Sequence, residues 1–120
     1  MEKETFATAI GCMDGRSQEP TAAFAREKTE AQYVDVITDA GIVSRFAEDT
    51  ADEDFLESIR DQVAISVVNH ESKGIVVSAH AECAGNPIPD EEQIDQLRLA
   101  VEVIKGLVPE GYSVPVLLLL

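Results

Sequence analysis

Short strand-like segments alternate with longer helix-like segments along the 120-residue chain, and this alternation constrains the fold more than any other feature. The strand-like segments are residues 5–11, 33–38, 75–79 and 114–120. Strands joined by helices favour right-handed crossovers and parallel pairing, and nearly continuous apolar strands suit a sheet covered on both faces. We therefore predict an α/β fold with a mainly parallel four-stranded sheet and helices on both faces.

Three helices are expected between and after these strands. The first runs from Pro20, which suits a first helical turn, to about residue 31. The second covers about residues 52–69, where a capping-box pattern at Thr50 and Glu53 precedes apolar side chains at helical intervals. The third begins near Asp90 and ends at Gly106, because glycine commonly terminates helices.

Length and charge limit the possible partners of the chain. A chain of 120 residues suits one domain, residues 1–120, and its hydrophobic fraction of 45% is enough for one modest core. Only 9 Lys and Arg oppose 23 Asp and Glu, so a net charge of -14 disfavours nucleic acid as a partner. The N-terminus lacks a signal-peptide pattern and no apolar run is long enough to span a bilayer. We expect a soluble, cytoplasmic protein without a membrane partner.

Two polar clusters follow the first and third predicted strands. Cys12, Asp14 and Arg16 come after the first strand, whereas His80 and Cys83 come after the third. If the strands are ordered 2-1-3-4, these two strands are neighbours and both clusters lie at the switch point where α/β sheets bind ligands. The predicted topology therefore brings residues that are distant in sequence towards one point.

Two thiols and one imidazole are ligands typical of a tetrahedral zinc site. Other interpretations of the same residues remain open. The cysteines could form a disulfide, although a reducing cytosol disfavours it, or either could be a buried apolar residue. His80 could be a turn residue without a ligand, and Asp14 and Arg16 could cap a helix or form a surface ion pair.

The pattern of strand, Cys12-x-Asp14-x-Arg16, strand and His80-x-x-Cys83 resembles that of the β-class carbonic anhydrases, zinc enzymes with an α/β fold. The likeness spans most of the chain and includes the end of the second strand at Asp39-Ala-Gly41. It implies a short, minimal member of the family. It also implies a lyase that reversibly hydrates carbon dioxide to bicarbonate through zinc-bound hydroxide.

The resemblance also assigns roles to individual residues. It implies that Cys12, His80 and Cys83 hold Zn²⁺ and that Asp14 and Arg16 are the catalytic carboxylate and guanidinium pair. Arg16 would grip Asp14 and keep it ionised and turned from the metal. Without that grip, Asp14 would become a fourth ligand and close the site. The sequence leaves the choice between the open and the closed arrangement undecided.

The chain departs from the family pattern at two places. Thr38-Asp39 stands where the family usually has Arg-Asn, and Ala84 stands where glycine usually follows the second zinc cysteine. Three alternatives to carbon dioxide hydration therefore stay open. These are hydrolysis of carbonyl sulfide or carbon disulfide, a closed structural zinc site, and a zinc-free module that binds a small anion in the same cleft.

Further expectations concern assembly and three residues near the site. The resemblance implies a homodimer or higher homo-oligomer, for which Val116 to Leu120 is a candidate pairing strand. We interpret Asp39 as a turn residue, His70 as a solvated residue at a helix end, and Glu82 as having no role.

Overall fold

Four parallel strands form a single sheet in the computed structural model, which describes residues 3–48 and 52–119. The strands are β1 (Phe6–Gly11), β2 (Tyr33–Thr38), β3 (Ile75–Ser78) and β4 (Val116–Leu119). They are ordered β2-β1-β3-β4, with every neighbouring pair parallel. The α/β class and the predicted strand order are both confirmed. Leu120, the last residue of the expected fourth strand, lies outside the described residues.

Four α-helices connect and cover these strands: α1 (Gly15–Thr29), α2 (Ile42–Phe46), α3 (Glu53–Ala64) and α4 (Asp90–Leu107). Helix α3 continues directly into a π-helical turn, Ile65–Asn69, so the region predicted as one helix is helical throughout but changes its winding. Among the described helices, none combines the length and the apolar character needed to cross a bilayer.

The first helix begins at Gly15, and the prediction that it starts at Pro20 is wrong. The Asp14 side chain accepts a hydrogen bond from the Arg16 backbone N–H at 2.9 Å, and this cap starts the helix one turn earlier. Pro20 therefore lies inside α1.

The other two predicted helices lie close to their predicted positions: the second covers residues 53–69, and the third begins at Asp90 as predicted. Thr50 lies outside the described residues, and Asp52 caps α3 by accepting from the backbone N–H groups of Asp54 and Phe55. Helix α4 passes through Gly106 and ends at Leu107. The five-residue helix α2 was not predicted, because so short a segment carries little helical periodicity.

The sheet separates two apolar clusters of different character. On one face, β1 and β3 contribute small residues such as Ala7 and Val76, which pack against Ala25 of α1. On the other face, Ile10, Val77 and their neighbours pack against α2, α3 and α4 in the larger cluster. Successive residues of β1 and β3 point to opposite faces, so strands buried on both faces read as continuous apolar runs.

A chain of buried hydroxyl groups ties the π-helical turn to the sheet. Thr8 Oγ1 lies 2.6 Å from Ser66 Oγ, and Ser66 donates to Asp35 Oδ2 of β2 at 2.7 Å. The same carboxylate oxygen lies 2.7 Å from His70 Nδ1, and the His70 ring stacks on Phe6 at 4.1 Å between centroids. His70 does lie at a helix end, as the C-cap residue of the π-helical turn, and its side chain is 38% exposed. It is not simply solvated, however, because two partners hold its ring.

Candidate metal centre

The first ligand loop begins where β1 ends. Cys12 follows Gly11 directly and is 6% exposed. Its carbonyl accepts a hydrogen bond from Gln18 Nε2 at 2.7 Å, so α1 holds the backbone that carries the thiol. The Asp14 cap then turns the chain into α1. The local sequence thus fixes Cys12 between a strand end and a helix start.

The second ligand loop leaves β3, the neighbour of β1 in the sheet. It carries His80 and Cys83, and the Asn86 backbone N–H donates to the Cys83 carbonyl at 3.2 Å. Because parallel neighbouring strands end at the same edge of a sheet, the two loops meet there. Cys83 is 4% exposed, so its thiol is as well buried as that of Cys12.

The three candidate ligands converge. The sulfur atoms of Cys12 and Cys83 lie 3.7 Å apart, and each candidate ligand atom of Cys12, His80 and Cys83 is within 4.8 Å of the others. Tetrahedral zinc with Zn–S bonds of about 2.3 Å separates two sulfurs by about 3.8 Å. A disulfide requires about 2.05 Å, and both cysteines are free. The geometry therefore fits a metal ion and not a disulfide.

His80 presents one unpartnered nitrogen to this group. Its Nδ1–H donates to the Ala81 carbonyl at 2.9 Å, which leaves a lone pair on Nε2. Nε2 is buried and has no hydrogen-bond partner among the described residues. A buried polar atom without a partner is costly, and metal-binding histidines commonly donate their other ring N–H to a carbonyl. The unpartnered Nε2 therefore fits the role of a metal ligand.

The two thiols differ in their readiness to ionise. Burial opposes ionisation of Cys12, but the Gly41 backbone N–H, which donates to its sulfur at 3.3 Å, and the neighbouring His80 ring lower its pKa to about 7. Burial and the neighbouring Cys12 sulfur raise the pKa of Cys83. Cys12 therefore forms a thiolate more readily near neutral pH than Cys83 does. A second thiolate on Cys83 is unfavourable beside the first unless a cation balances the two negative charges.

Asp14 and Arg16 form a bidentate ion pair beside the three candidate metal ligands. Arg16 Nη2 donates to Asp14 Oδ2 at 2.6 Å and Arg16 Nε donates to Oδ1 at 3.0 Å. These bonds hold the pKa of the Asp14 carboxyl far below its usual range. Asp14 Oδ2 lies 4.0 Å from His80 Nε2, so the carboxylate is adjacent to the three candidate ligands. Its oxygens are at the same time hydrogen-bonded by Arg16. The same carboxylate caps α1, so capping and ion pairing occur together.

Arg16 also touches the second ligand loop. Its Nη2 lies 3.4 Å from the Glu82 carbonyl oxygen. Glu82 has a positive φ of 55°, which turns this carbonyl at the cost of some backbone strain. Glu82 was expected to have no role, and its backbone, rather than its carboxylate, provides this contact.

Two glycines let a third loop approach the thiols. Gly41, just after β2, has a φ of 56°, and a Cβ placed on it would lie 2.6 Å from the Gly85 carbonyl carbon. A Cβ on Gly85 would lie 2.9 Å from the Ala40 carbonyl carbon. This close contact brings the Gly41 N–H to Cys12 Sγ. Gly41 was predicted only as the end of β2, and its role as a hydrogen-bond donor to Cys12 was not predicted.

We expect Gly85→Ala to destabilise the protein by about 1–3 kcal/mol, because the added methyl group forces backbone apart. Gly106→Ala is the matched control, since nothing lies within 4 Å of a Cβ at that helical position. The control should gain about 0.5–1 kcal/mol, as alanine is the better helix former. Urea unfolding of the metal-free proteins measures both. Equal stability of the two variants would contradict the close contact.

Helix α4 secures the second ligand loop through amide side chains. Gln93, 1% exposed, donates from Nε2 to the Asn86 carbonyl at 2.9 Å. Asn86 Nδ2 donates in turn to Gln96 Oε1 at 2.7 Å. These contacts were not predicted, although a glutamine at an otherwise apolar position of an amphipathic helix indicates a buried polar contact.

Asp39 lies in the turn after β2, as interpreted from the sequence. Its Oδ1 accepts from the Ala40 backbone N–H at 3.0 Å, and its Oδ2 pairs with Arg45 Nη1 of α2 at 2.6 Å. The Asp39 carboxylate is therefore bound by the turn backbone and by Arg45 in the last turn of α2, and not by the three candidate ligands.

Comparison with known proteins supplies an independent view of the chain. No curated protein and no solved structure matches it. Residues 2–117 match the model of a protein family described as "Putative carbonic anhydrase". The match includes both ligand loops and nearly all of the 120 residues. The chain belongs to this family.

Proposed function

We propose that the protein is a zinc-dependent carbonic anhydrase of the β-class type, a lyase that reversibly hydrates carbon dioxide to bicarbonate. The observation that carries this proposal is the convergence of two buried thiols and an unpartnered imidazole nitrogen beside a carboxylate held by arginine. Membership in the matched family supports it.

Zinc suits this donor set. Cys12 Sγ, Cys83 Sγ and His80 Nε2 would hold the ion, because two thiolates and an imidazole favour a soft, tetrahedral metal. Three protein ligands leave one position for a small molecule. When held by these three residues, zinc would supply hydroxide at neutral pH, since it lowers the pKa of a coordinated water molecule to about 7.

Asp14 is the residue we assign to orienting the attacking oxygen. An ionised carboxylate only accepts hydrogen bonds, so Asp14 would accept one from the attacking group and turn its lone pair towards carbon dioxide. The lowered pKa of Asp14 keeps it ionised at any pH at which the protein would work. Its position 4.0 Å from His80 Nε2 puts it within reach of the ligand cluster.

Arg16 is a positioning residue in this proposal. Its guanidinium binds both oxygens of Asp14, which opposes rotation of the carboxylate towards the ligands. Its contact with the Glu82 carbonyl links this pair to the loop that carries Cys83. This ion pair supports an open site, in which Asp14 would not be a fourth ligand.

Stopped-flow measurement of carbon dioxide hydration tests the proposal. Protein of measured zinc content should accelerate hydration in proportion to that content, and a small anion that occupies the fourth position should inhibit it. Chelated protein should lose the activity and regain it when zinc is restored. Zinc-saturated protein that hydrates carbon dioxide no faster than buffer would contradict the proposed activity while leaving the metal site intact.

A further inference from the structure

A cavity lies beside β2, away from the metal centre. It has a volume of about 280 Å³ and is bounded by β2 on one side and by the end of α3 with the π-helical turn on the other. Asp35 of β2 lines it and pairs in register with Thr8 of β1. Thr8 precedes Cys12 by four residues, so about 13 Å of strand separates this position from the first candidate metal ligand. The cavity is therefore distinct from the metal centre.

A buried hydroxyl group and an imidazole fix the Asp35 carboxylate in this cavity. Ser66 Oγ and His70 Nδ1 each lie 2.7 Å from Asp35 Oδ2. Ser66 is 2% exposed, and its hydroxyl contacts that of Thr8, which is fully buried. Both partners hold Oδ2, and no described residue donates a hydrogen bond to Oδ1. The carboxylate is therefore oriented before a ligand arrives and keeps one oxygen for it.

The charge around the cavity favours a cation. No lysine or arginine of the described residues lines it, so the Asp35 carboxylate has no permanent positive partner there. Its side chain is 26% exposed, and a partly buried carboxylate attracts a cation more strongly than one in open water does. The net charge of -14 repels anions from the whole molecule. A cationic ligand therefore suits the cavity better than a neutral or an anionic one.

One free carboxylate oxygen suits an ammonium group. A guanidinium binds best when it reaches both oxygens of a carboxylate, and Asp35 Oδ2 already has two partners. A calcium ion takes about six to eight oxygen ligands. The side chains of Asp35, Gln62 and Ser66 together supply fewer than that. An ammonium is a compact charge with several N–H donors, so it can use Oδ1 alone.

Apolar side chains form much of the remaining cavity wall. They belong to Val36, Ile37 and Ile65. Val36 is 48% exposed and Ile65 is 54% exposed, so a ligand with an alkyl chain would remove apolar surface of both residues from water. The volume is just below the range of about 300–1,000 Å³ that is typical of sites for drug-sized molecules. The cavity therefore fits a short chain with one charged end.

We propose that this cavity binds a small primary alkylamine in its ammonium form. The ammonium donates to Asp35 Oδ1, and the alkyl chain packs against Val36 and Ile65. The π-helical turn and its C-cap supply Ser66 and His70, and such turns are frequent at functional sites. Binding at this site does not depend on the carbonic anhydrase activity proposed above.

Nuclear magnetic resonance titration of the full chain with n-butylammonium tests the site. Saturable shifts of backbone amide signals are expected in β2 and residues 62–70, with a Kd of about 1–10 mM for so small a ligand. n-Butanol lacks the charge and should bind at least about tenfold more weakly. Methylammonium buries less apolar surface and should bind about fivefold more weakly. Signals of the loops that carry Cys12 and Cys83 should not move.

Three variants locate the two ends of the ligand. Asp35→Asn keeps the shape of the side chain and removes its charge, so the Kd for n-butylammonium should rise at least about tenfold. Asp95→Asn is the matched control, because it makes the same change in net charge at an exposed position of α4 outside the cavity, and it should bind like wild type. Ile65→Ala should raise the Kd for n-butylammonium about two- to fivefold and leave that for methylammonium unchanged.

Equal affinity for n-butanol and n-butylammonium would overturn the proposal, and so would an unchanged Kd in folded Asp35→Asn. Because Ile65 is largely exposed, Ile65→Ala should fold even if Asp35→Asn does not, and an unchanged Kd in that variant would then overturn the site. Shifts confined to the loops that carry Cys12 and Cys83 would place the amine at the metal centre instead and would also overturn it.

A lysine side chain carries the same ammonium on a four-carbon chain. Nα-acetyllysine methylamide, which mimics lysine in a peptide, is therefore titrated in parallel and should bind more weakly than n-butylammonium, because its backbone amides have no place in so small a cavity. Tighter binding of this mimic would assign the site to a lysine of a protein partner and overturn the assignment to a free amine.

Discussion

Cys83→Ser is expected to abolish zinc binding, with the metal content falling from about one to below about 0.1 ion per chain. A serine hydroxyl does not ionise at neutral pH and is a poor ligand for a metal that selects thiolates. The Cys12 sulfur, 3.7 Å away, would lose its companion ligand. Carbon dioxide hydration should disappear together with the metal. Elemental analysis of dialysed protein and the hydration assay measure the two losses.

Met13→Ser is the control for this experiment. Met13 adjoins Cys12 in the same loop, but its side chain is 64% exposed, so the substitution should leave the zinc content unchanged. Circular dichroism of Cys83→Ser should match that of chelated wild-type protein, which separates loss of a ligand from misfolding. Full zinc content in Cys83→Ser would exclude this cysteine as a ligand.

Asp14→Asn is expected to retain zinc and to lower the hydration rate by about 100-fold or more. Asparagine caps helices as well as aspartate does, so α1 should still begin at Gly15. The amide has one acceptor oxygen instead of two, so Asn at this position loses part of the Arg16 grip and the negative charge. Stopped-flow rates normalised to zinc content measure the effect.

Asp52→Asn is the matched control for Asp14→Asn. Asp52 caps α3 in the same way, accepting from the Asp54 backbone N–H at 2.9 Å, and it is not among the three convergent ligands or their neighbours. The Asp52→Asn variant should hydrate carbon dioxide at the wild-type rate. A full rate in Asp14→Asn would remove the proposed orienting role, and loss of zinc in that variant would instead make Asp14 a ligand.

The sheet and the meeting of the two ligand loops could be predicted from sequence because each depends on strong local signals. Continuous apolar runs at β1 and β3 require burial on both faces, and the crossover rule then limits the strand order. Cys12 follows β1 directly and His80 lies two residues after the end of β3, so their approximate placement needed no knowledge of loop conformation.

Features that depend on contacts between distant residues could not be predicted in this way. The approach of Gly41 to Gly85 joins two loops that no local pattern relates. The π-helical winding at residues 65–69 coincides with the Ser66 contacts to Thr8 and Asp35, which exist only after the sheet has formed. The apolar spacing of that region is compatible with either winding.

The separation of the two sulfurs along the chain has a thermodynamic consequence. Cys12 and Cys83 are 71 positions apart, so an ion shared between them would cross-link the chain across a long loop. Closing a loop of that length restricts the unfolded ensemble, and the restriction grows with the logarithm of the loop length. Metal occupancy would therefore set the cooperativity with which strands β1 to β3 and everything between them unfold together.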